Sequence, residues 1–502
     1  MNELKDESKP KLQDDGCSIA TWLQAMASFC GQVYKRHNME LGGLLLYVAE
    51  QLKDGKSMFE LVLLKEIIHS MTGIEANGEP TADQMEALAG GEVLRSEGGY
   101  YGQIKNYRKS STKLREAMKT EKLETALILL IALQRDRVLF GKSQESESDA
   151  IATLGNVGNA DDEQQGHLQG ARLKLVGDMI DMCHGVMYQL SSFVTSQNQY
   201  NMLPADQLIK TYHAPVDVAF SIARKVYFLD VRKRMQEKFR DLMKTIEKEK
   251  AERRASAEET KENGEVMEVD EDKAENSTKI DKAEIYVESV KESFTQLRQE
   301  IVTCMPESLW TDLTPVFFTS FWTMDSYDLK VPTMAYNREI IKLKEIIKEI
   351  DADKTSDSRT RRSKAREKER CVLKIEQIRE EQKRHMRHVQ CVEKRLEDEK
   401  DQWIDPKKND TVTKMLQHCV FKRAVFSAED SMYCANFILK MHYLSTPHFQ
   451  TLLFLDRVFT DTSYTIGSLT EQQAIHYGRF LNRLYLNFKK DLLTSVVNDA
   501  RN

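Results

Sequence analysis

Proline, by its scarcity, sets the tightest limit on what this chain can fold into. None occurs between Thr81 and Leu203, and all 502 residues contain only 9 prolines and 22 glycines. A β-rich chain needs turn residues roughly every 8–12 positions, and no such punctuation is present. Abundant Leu, Glu, Lys, Gln and Met favour helix instead. The sequence reads as all-α.

Periodicity agrees. Leu44, Leu45, Val48 and Leu52 recur at helical spacing before a stop at Asp54-Gly55, with Ser57 as the next N-cap. Phe59, Leu61, Val62, Leu64, Ile67 and Ile68 form a second apolar face. Leu123–Leu139 is apolar on nearly every side, the pattern of a helix buried between neighbours. Ser427 with Asp430, and Thr470 with Gln473, have the spacing of capping boxes. Helix after helix without a fixed-period motif predicts an elongated α-solenoid-like stack of helical pairs.

Composition divides the chain. A charged N-terminus (1–18) without an apolar core is expected to be disordered and is no signal peptide. Helical regions follow at 19–140 and 167–255, the second including shorter helices over Asp206–Tyr212 and Pro215–Phe228. Between them, 141–166 lacks periodicity and reads as a mobile loop; 256–277 is dominated by acids and reads as a disordered acidic loop. Residues 278–335 carry an aromatic stretch, mostly core by default. Residues 336–404 form a long charged arm, either one helix or an antiparallel coiled-coil-like hairpin, with Ile340, Leu343, Ile346, Ile347, Leu373, Ile375, Ile378, Met386, Val389, Val392 and Leu396 as a thin stripe. A compact helical unit closes the chain at 405–494.

Chemistry-bearing motifs are scarce. The eight cysteines are scattered without a CxxC pair and read as free thiols of a reducing compartment. The longest apolar run, Ala126–Leu133, is far below the ~20 residues a membrane helix needs. His385, His388 and Cys391 share one helix face at metal-ligand spacing, but their segment is highly charged and has no suitably spaced fourth ligand, so a structural reading is preferred over zinc. No phosphate loop, nucleophile elbow or metalloprotease motif occurs. The sequence therefore predicts neither catalytic residues nor a cofactor.

Two basic clusters remain. Arg359, Arg361, Arg362, Lys364, Arg366, Lys368 and Arg370 fall within twelve residues, opposed by Glu367 and Glu369, and suit nucleic-acid phosphates or a nuclear-import signal. The same run serves equally as the solvated hinge of a charged arm, and both readings stay open. Lys105, Arg108, Lys109, Lys113 and Arg115, around Tyr107, could meet an acidic partner or form a solvated helix face.

Several long strings, GGLLLYVAEQLKDGKSMFELVLLKEIIHSMTGIE (42–75), GGEVLRSEGGYYGQIKNYRKSSTKLREAM (90–118), HAPVDVAF (213–220), SFWTMDSYDLKVPTMAYNREIIKLK (320–344), CVFKRAVFSAEDSMYCANFILKMHYLSTPHFQTLLFLDRVFTD (419–461) and GRFLNRLYL (478–486), resemble the THO complex subunit 2 family. The resemblance spans about residues 20–490, and since members of that family are far longer, it implies a central to C-terminal portion. It further implies a helical scaffold of the nuclear THO assembly within the transcription–export (TREX) machinery. Such a scaffold holds the other THO subunits, engages a DEAD-box RNA-dependent ATPase, couples transcription to export of the messenger ribonucleoprotein, and limits RNA–DNA hybrids. The contrasting reading is a nucleic-acid-binding module working through residues 359–370.

Overall fold

The computed structural model describes residues 19–55, 58–76, 80–98, 107–140, 162–195, 203–262, 282–352, 358–405 and 410–499. Among these every regular element is helical, and none is long and apolar enough to cross a membrane. The fold is all-α.

The first half comprises α1 (Ile19–Arg36), α2 (Gly42–Asp54), α3 (Met58–Thr72), α4 (Ala82–Leu88), α5 (Glu92–Gly98), α6 (Arg108–Thr120), α7 (Glu124–Phe140) and α8 (Asp162–Thr195). Gly55, at φ 81°, ends α2 in the left-handed conformation that only glycine adopts without a Cβ penalty. Helix α3 packs between α1 and α8, and α7 lies against α8 and α2. Leu127, Ile128, Ile131 and Ala132 of α7 are buried, as its all-round apolar sequence requires.

Next come α9 (Ala205–Tyr212), α10 (Val216–Glu262), α11 (Lys282–Cys304), α12 (Pro315–Thr323) and α13 (Ser326–Leu329). Helix α10 runs far beyond the expected stop at Phe228. Beyond Phe228 it has less to bury but carries i,i+4 ion pairs, Asp230 with Arg234, Lys233 with Glu237 and Lys248 with Glu252, that support a solvated helix. The first seven residues of the expected acidic loop are therefore helical, and 263–281 lie outside the described residues. Likewise α8 begins inside the expected 141–166 loop, whose earlier part lies outside the described residues, as does 1–18.

The charged arm is a hairpin of α14 (Thr333–Ala352) and α15 (Ser358–Glu399). Lys368 bonds back to Asp351 near the tip and His385 meets Tyr336 near the base, which makes the pair antiparallel. Between base and tip, Tyr336, Ile340, Leu343, Cys371, Ile375 and Ile378 form a small separate core with Ala87 and Leu94. The base is embedded: Val392 and Leu396 join the main core and α15 packs along α11. The buried stripe is thinner than expected, because Ile346, Leu373 and Met386 are exposed.

The chain ends with α16 (Thr411–Met415, a π-helical turn Leu416–Val420, then Phe421–Ala424), α17 (Ala428–Tyr443), α18 (Thr451–Thr460), α19 (Thr462–Gly467) and α20 (Glu471–Asp499). Thr470 and Gln473 form the expected capping box. Helix α20 packs on α17 and returns to α8, where Asp181 accepts hydrogen bonds from the Thr470 hydroxyl and the Gln472 amide. One core cluster consequently runs from Ala27 to Phe488.

A second distant cap fixes the hairpin to the first half. The Glu381 carboxylate of α15 accepts the Val93 and Leu94 amides at 2.7 and 3.0 Å, at the N-terminus of α5. Gly91 lies so close that an added Cβ would sit 2.4 Å from the Glu381 carboxyl carbon. Gly91→Ala is expected to cost about 1–3 kcal/mol by overpacking. Gly43→Ala, on α2 with no atom within 4 Å of its Cβ position, should be neutral or stabilise by up to about 1 kcal/mol. Urea unfolding of both variants checks the contrast.

Candidate functional site: a polar cleft and two basic clusters

Segments far apart in sequence, α4–α5, α10, α11, α15, α17 and α20, converge on a cleft of about 1850 Å³. Its floor is a buried ionic network. Asp430, in the first turn of α17, accepts Arg224 Nη1 and Arg423 Nε at 2.7 Å each and the Ser427 hydroxyl at 2.9 Å. Burial alone would raise its pKa, but the Arg224 and Arg423 guanidiniums hold the carboxyl far below the usual range. Arg423 also donates to the carbonyls of Phe321 and Met324 at the end of α12, and lies 3.5 Å from the Tyr433 ring centroid. Ser427 caps α17 as the sequence predicts: its Oγ accepts the Asp430 amide at 3.1 Å and donates to the Asp430 carboxylate, which the two arginines also hold.

A second network joins α11, α12 and α15. Glu399 accepts Arg298 at 2.8 Å and Arg395 at 3.3 Å, while Ser320 bridges Arg395 and Glu399 at 2.8 Å on each side. Next to Asp430 in α17, Glu429 has its Oε1 sealed from solvent with no hydrogen-bond partner among the described residues. Burial pushes its carboxyl up to about 7.

The HxxHxxC face is an anchor for α13. His385 Nε2 donates to the Tyr327 carbonyl at 2.7 Å, its ring stacks on Tyr327 at 3.8 Å, and burial brings its pKa down to about 4. His388 donates to Asp328 at 2.7 Å. Burial works against the Asp328 charge, but that bond and the neighbouring positive charge keep its pKa low. Cys391 is buried, and no metal-ligand grouping occurs among the described residues. The described cysteines are free thiols. In the aromatic stretch, Phe317, Phe318, Phe321 and Trp322 are fully buried core.

The two basic clusters fare differently. Arg361, Arg362, Arg366 and Arg370 are exposed at the hairpin tip, Lys364 is half-buried, and Lys368 is committed to Asp351; the Arg359 side chain lies outside the described residues. The second cluster is not one patch. Lys109 is exposed, Lys113 donates to the Asn38 carbonyl at 3.1 Å, and Arg115 lies over the Phe193 ring and lines the cleft. Lys105 and the Arg108 side chain lie outside the described residues.

Comparison with known proteins adds the decisive observation. A family model described as transcription factor/nuclear export subunit protein 2 matches residues 310–490. Over 488 residues, 96% of this chain, the sequence is 37% identical to THO complex subunit 2 of Homo sapiens. The chain belongs to the THO complex subunit 2 family. THO complex subunit 2 of Dasypus novemcinctus is likewise 37% identical over 488 residues, and that of Arabidopsis thaliana 32% over 499. The chain spans about a quarter of the length of these relatives: 27%, 26% and 25% respectively. The family-model match covers α12 to α20, the part that holds the Arg423–Asp430 and Arg395–Glu399 pairs.

Two titrations test the buried groups of this THO subunit 2 homologue with opposite sign. Glu429 has a folded pKa of about 7 against an ordinary 4.5, so its contribution is complete below about pH 4.5 and lost as pH rises through 7. The melting temperature of Glu429→Gln should therefore gain on wild type between about pH 5 and pH 8. His385, depressed to about 4 from 6.5, contributes stability above about pH 6.5 that is lost as pH falls towards 4. His385→Gln should flatten that acid limb, by at most about 1.4 kcal/mol per pH unit.

Proposed function

We propose that the chain acts as a scaffold subunit of a nuclear THO complex, without catalysis of its own. Its helices hold other THO subunits and a DEAD-box RNA-dependent ATPase, coupling transcription to messenger RNA export and restraining RNA–DNA hybrids. The observation that carries this reading is the similarity, over 96% of this chain, to THO complex subunit 2 of an animal and a plant, at 37% and 32% identity.

The geometry supports a role in binding proteins. Large apolar side chains stand exposed in two groups: Trp22, Met26 and Phe29 along one face of α1, and Leu452, Phe459, Tyr464 and Ile466 on α18–α19. Phe29 is 70% exposed, Leu452 74% and Tyr464 84%. Contiguous exposed apolar side chains mark interaction surfaces more often than chance placement does. Arg224, Arg423, Asp430 and Arg395 of the cleft, by contrast, are tied into structural networks.

A second reading rests on Arg361, Arg362, Arg366 and Arg370, which stand exposed at the hairpin tip and suit nucleic-acid phosphates.

Affinity purification of the tagged chain from nuclear extract, at physiological salt with nuclease, separates the two. Recovery of other THO subunits and the ATPase, reduced by Phe29→Glu or Tyr464→Glu and indifferent to charge reversal of Arg361 and Arg366, is the expected result. Loss of all partners from the folded nuclear protein, with RNA retention falling steeply as salt rises, would place the nucleic-acid reading first.

A further inference from the structure

The cleft has a property that membership of a complex does not explain: its lining is cationic in a chain of net charge −6. Thirteen Arg and Lys side chains line it against eight Asp and Glu. The cations on the floor, such as Arg423, Arg224 and Arg395, are spent in internal ion pairs. Lys225, Arg232 and Arg384 also line it and form no ion pair among the described residues. Arg232 and Arg384 are exposed, and Lys225 lies 5.3 Å from the Phe228 ring centroid. Apolar side chains share the walls, with Leu486 exposed and Met235 and Phe228 half-buried.

We propose that this cleft is a docking site for an acidic peptide segment of another protein, an extended stretch whose Asp and Glu side chains meet Lys225, Arg232 and Arg384 and whose apolar anchors rest on Phe228, Met235 and Leu486.

Three observations select that occupant. The cleft exceeds the ~300–1,000 Å³ typical of small-molecule sites, so a polymer segment fits it better than a metabolite. Its eight carboxylates oppose a polyphosphate backbone, whereas a peptide offers amides and mixed side chains beside its acids. Base stacking is also poorly served, because the Tyr327 ring is already stacked on His385. A mixed apolar and cationic wall is the arrangement that reads acidic motifs with apolar anchors, and the charges at its edge supply steering and selectivity.

The test uses the full chain against an array of twelve-residue peptides graded in Asp/Glu content, each with and without a central Leu-Phe pair. Retention should rise with acid content and require the apolar pair. In solution, the best peptide, fluorescein-labelled, should bind Arg232→Glu/Arg384→Glu at least about ten-fold more weakly than wild type at an unchanged melting temperature. Leu486→Asp should weaken it independently, and Arg361→Glu/Arg366→Glu at the hairpin tip should not. Retention indifferent to acid content, or wild-type affinity in the double variant, overturns the proposal. So does a decauridine oligonucleotide that displaces the peptide and binds more tightly, which would make the cleft a nucleic-acid site.

Discussion

The guanidinium of Arg423 holds the second half of this molecule together. It is fully buried, and it grips two carbonyls at the C-terminal end of α12 and a carboxylate in the first turn of α17. Both are places where the helix dipole welcomes the charge brought to it: a cation at an exposed carbonyl end, an anion at an exposed amide end. Asp430 then passes the connection to Arg224 on α10, so a single buried pair ties three helices whose residues lie up to 206 apart in sequence. Such a pair need not exceed a well-packed apolar substitute in stability, but removing one partner strands the other charge at a cost of about 3–5 kcal/mol. Its geometric consequence is register: α12, α17 and α10 fit only in the arrangement that satisfies every donor.

The same device recurs across the fold. Glu381 caps α5 from the hairpin, Asp181 caps the start of α20 from α8, and Glu399 collects Arg298 and Arg395. Short helices such as α5 and α13 are too brief to be stable on propensity alone, since isolated helices below ~12–15 residues are marginal. Carboxylates and imidazoles from distant helices satisfy their open ends. These distant caps fix the internal geometry of the body that carries the exposed apolar side chains of α1 and α18–α19.

Much of this was legible in the sequence, and its limits have a physical pattern. Fold class, the Gly55 stop, the buried α7 and the Thr470 capping box all depend on contacts within a few residues, and all are present as expected. The family was legible too, because its strings are long and nearly unbroken. Helix length at α10 was misjudged, because apolar periodicity ends near Phe228 while i,i+4 ion pairs carry the helix on. The cleft was missed altogether. Its lining comes from helices between α4 and α20, and no local pattern reports which side chains converge. One signal was available: Arg423 and Asp430 sit as charged residues within a dense apolar segment, where ionisable side chains require partners. At Lys109, Lys113 and Arg115, density of charge in sequence does not translate into one surface.

The most direct test of the central claim is native-state hydrogen exchange on Arg423→Met. If the buried pair locks the second half into one cooperative unit, amides of α10 near Arg224, of α12 and of α17 should lose protection together and by similar amounts. Loss confined to the turns flanking residue 423, with α10 and α12 exchanging as in wild type, would contradict the account and reduce Arg423 to a local contact.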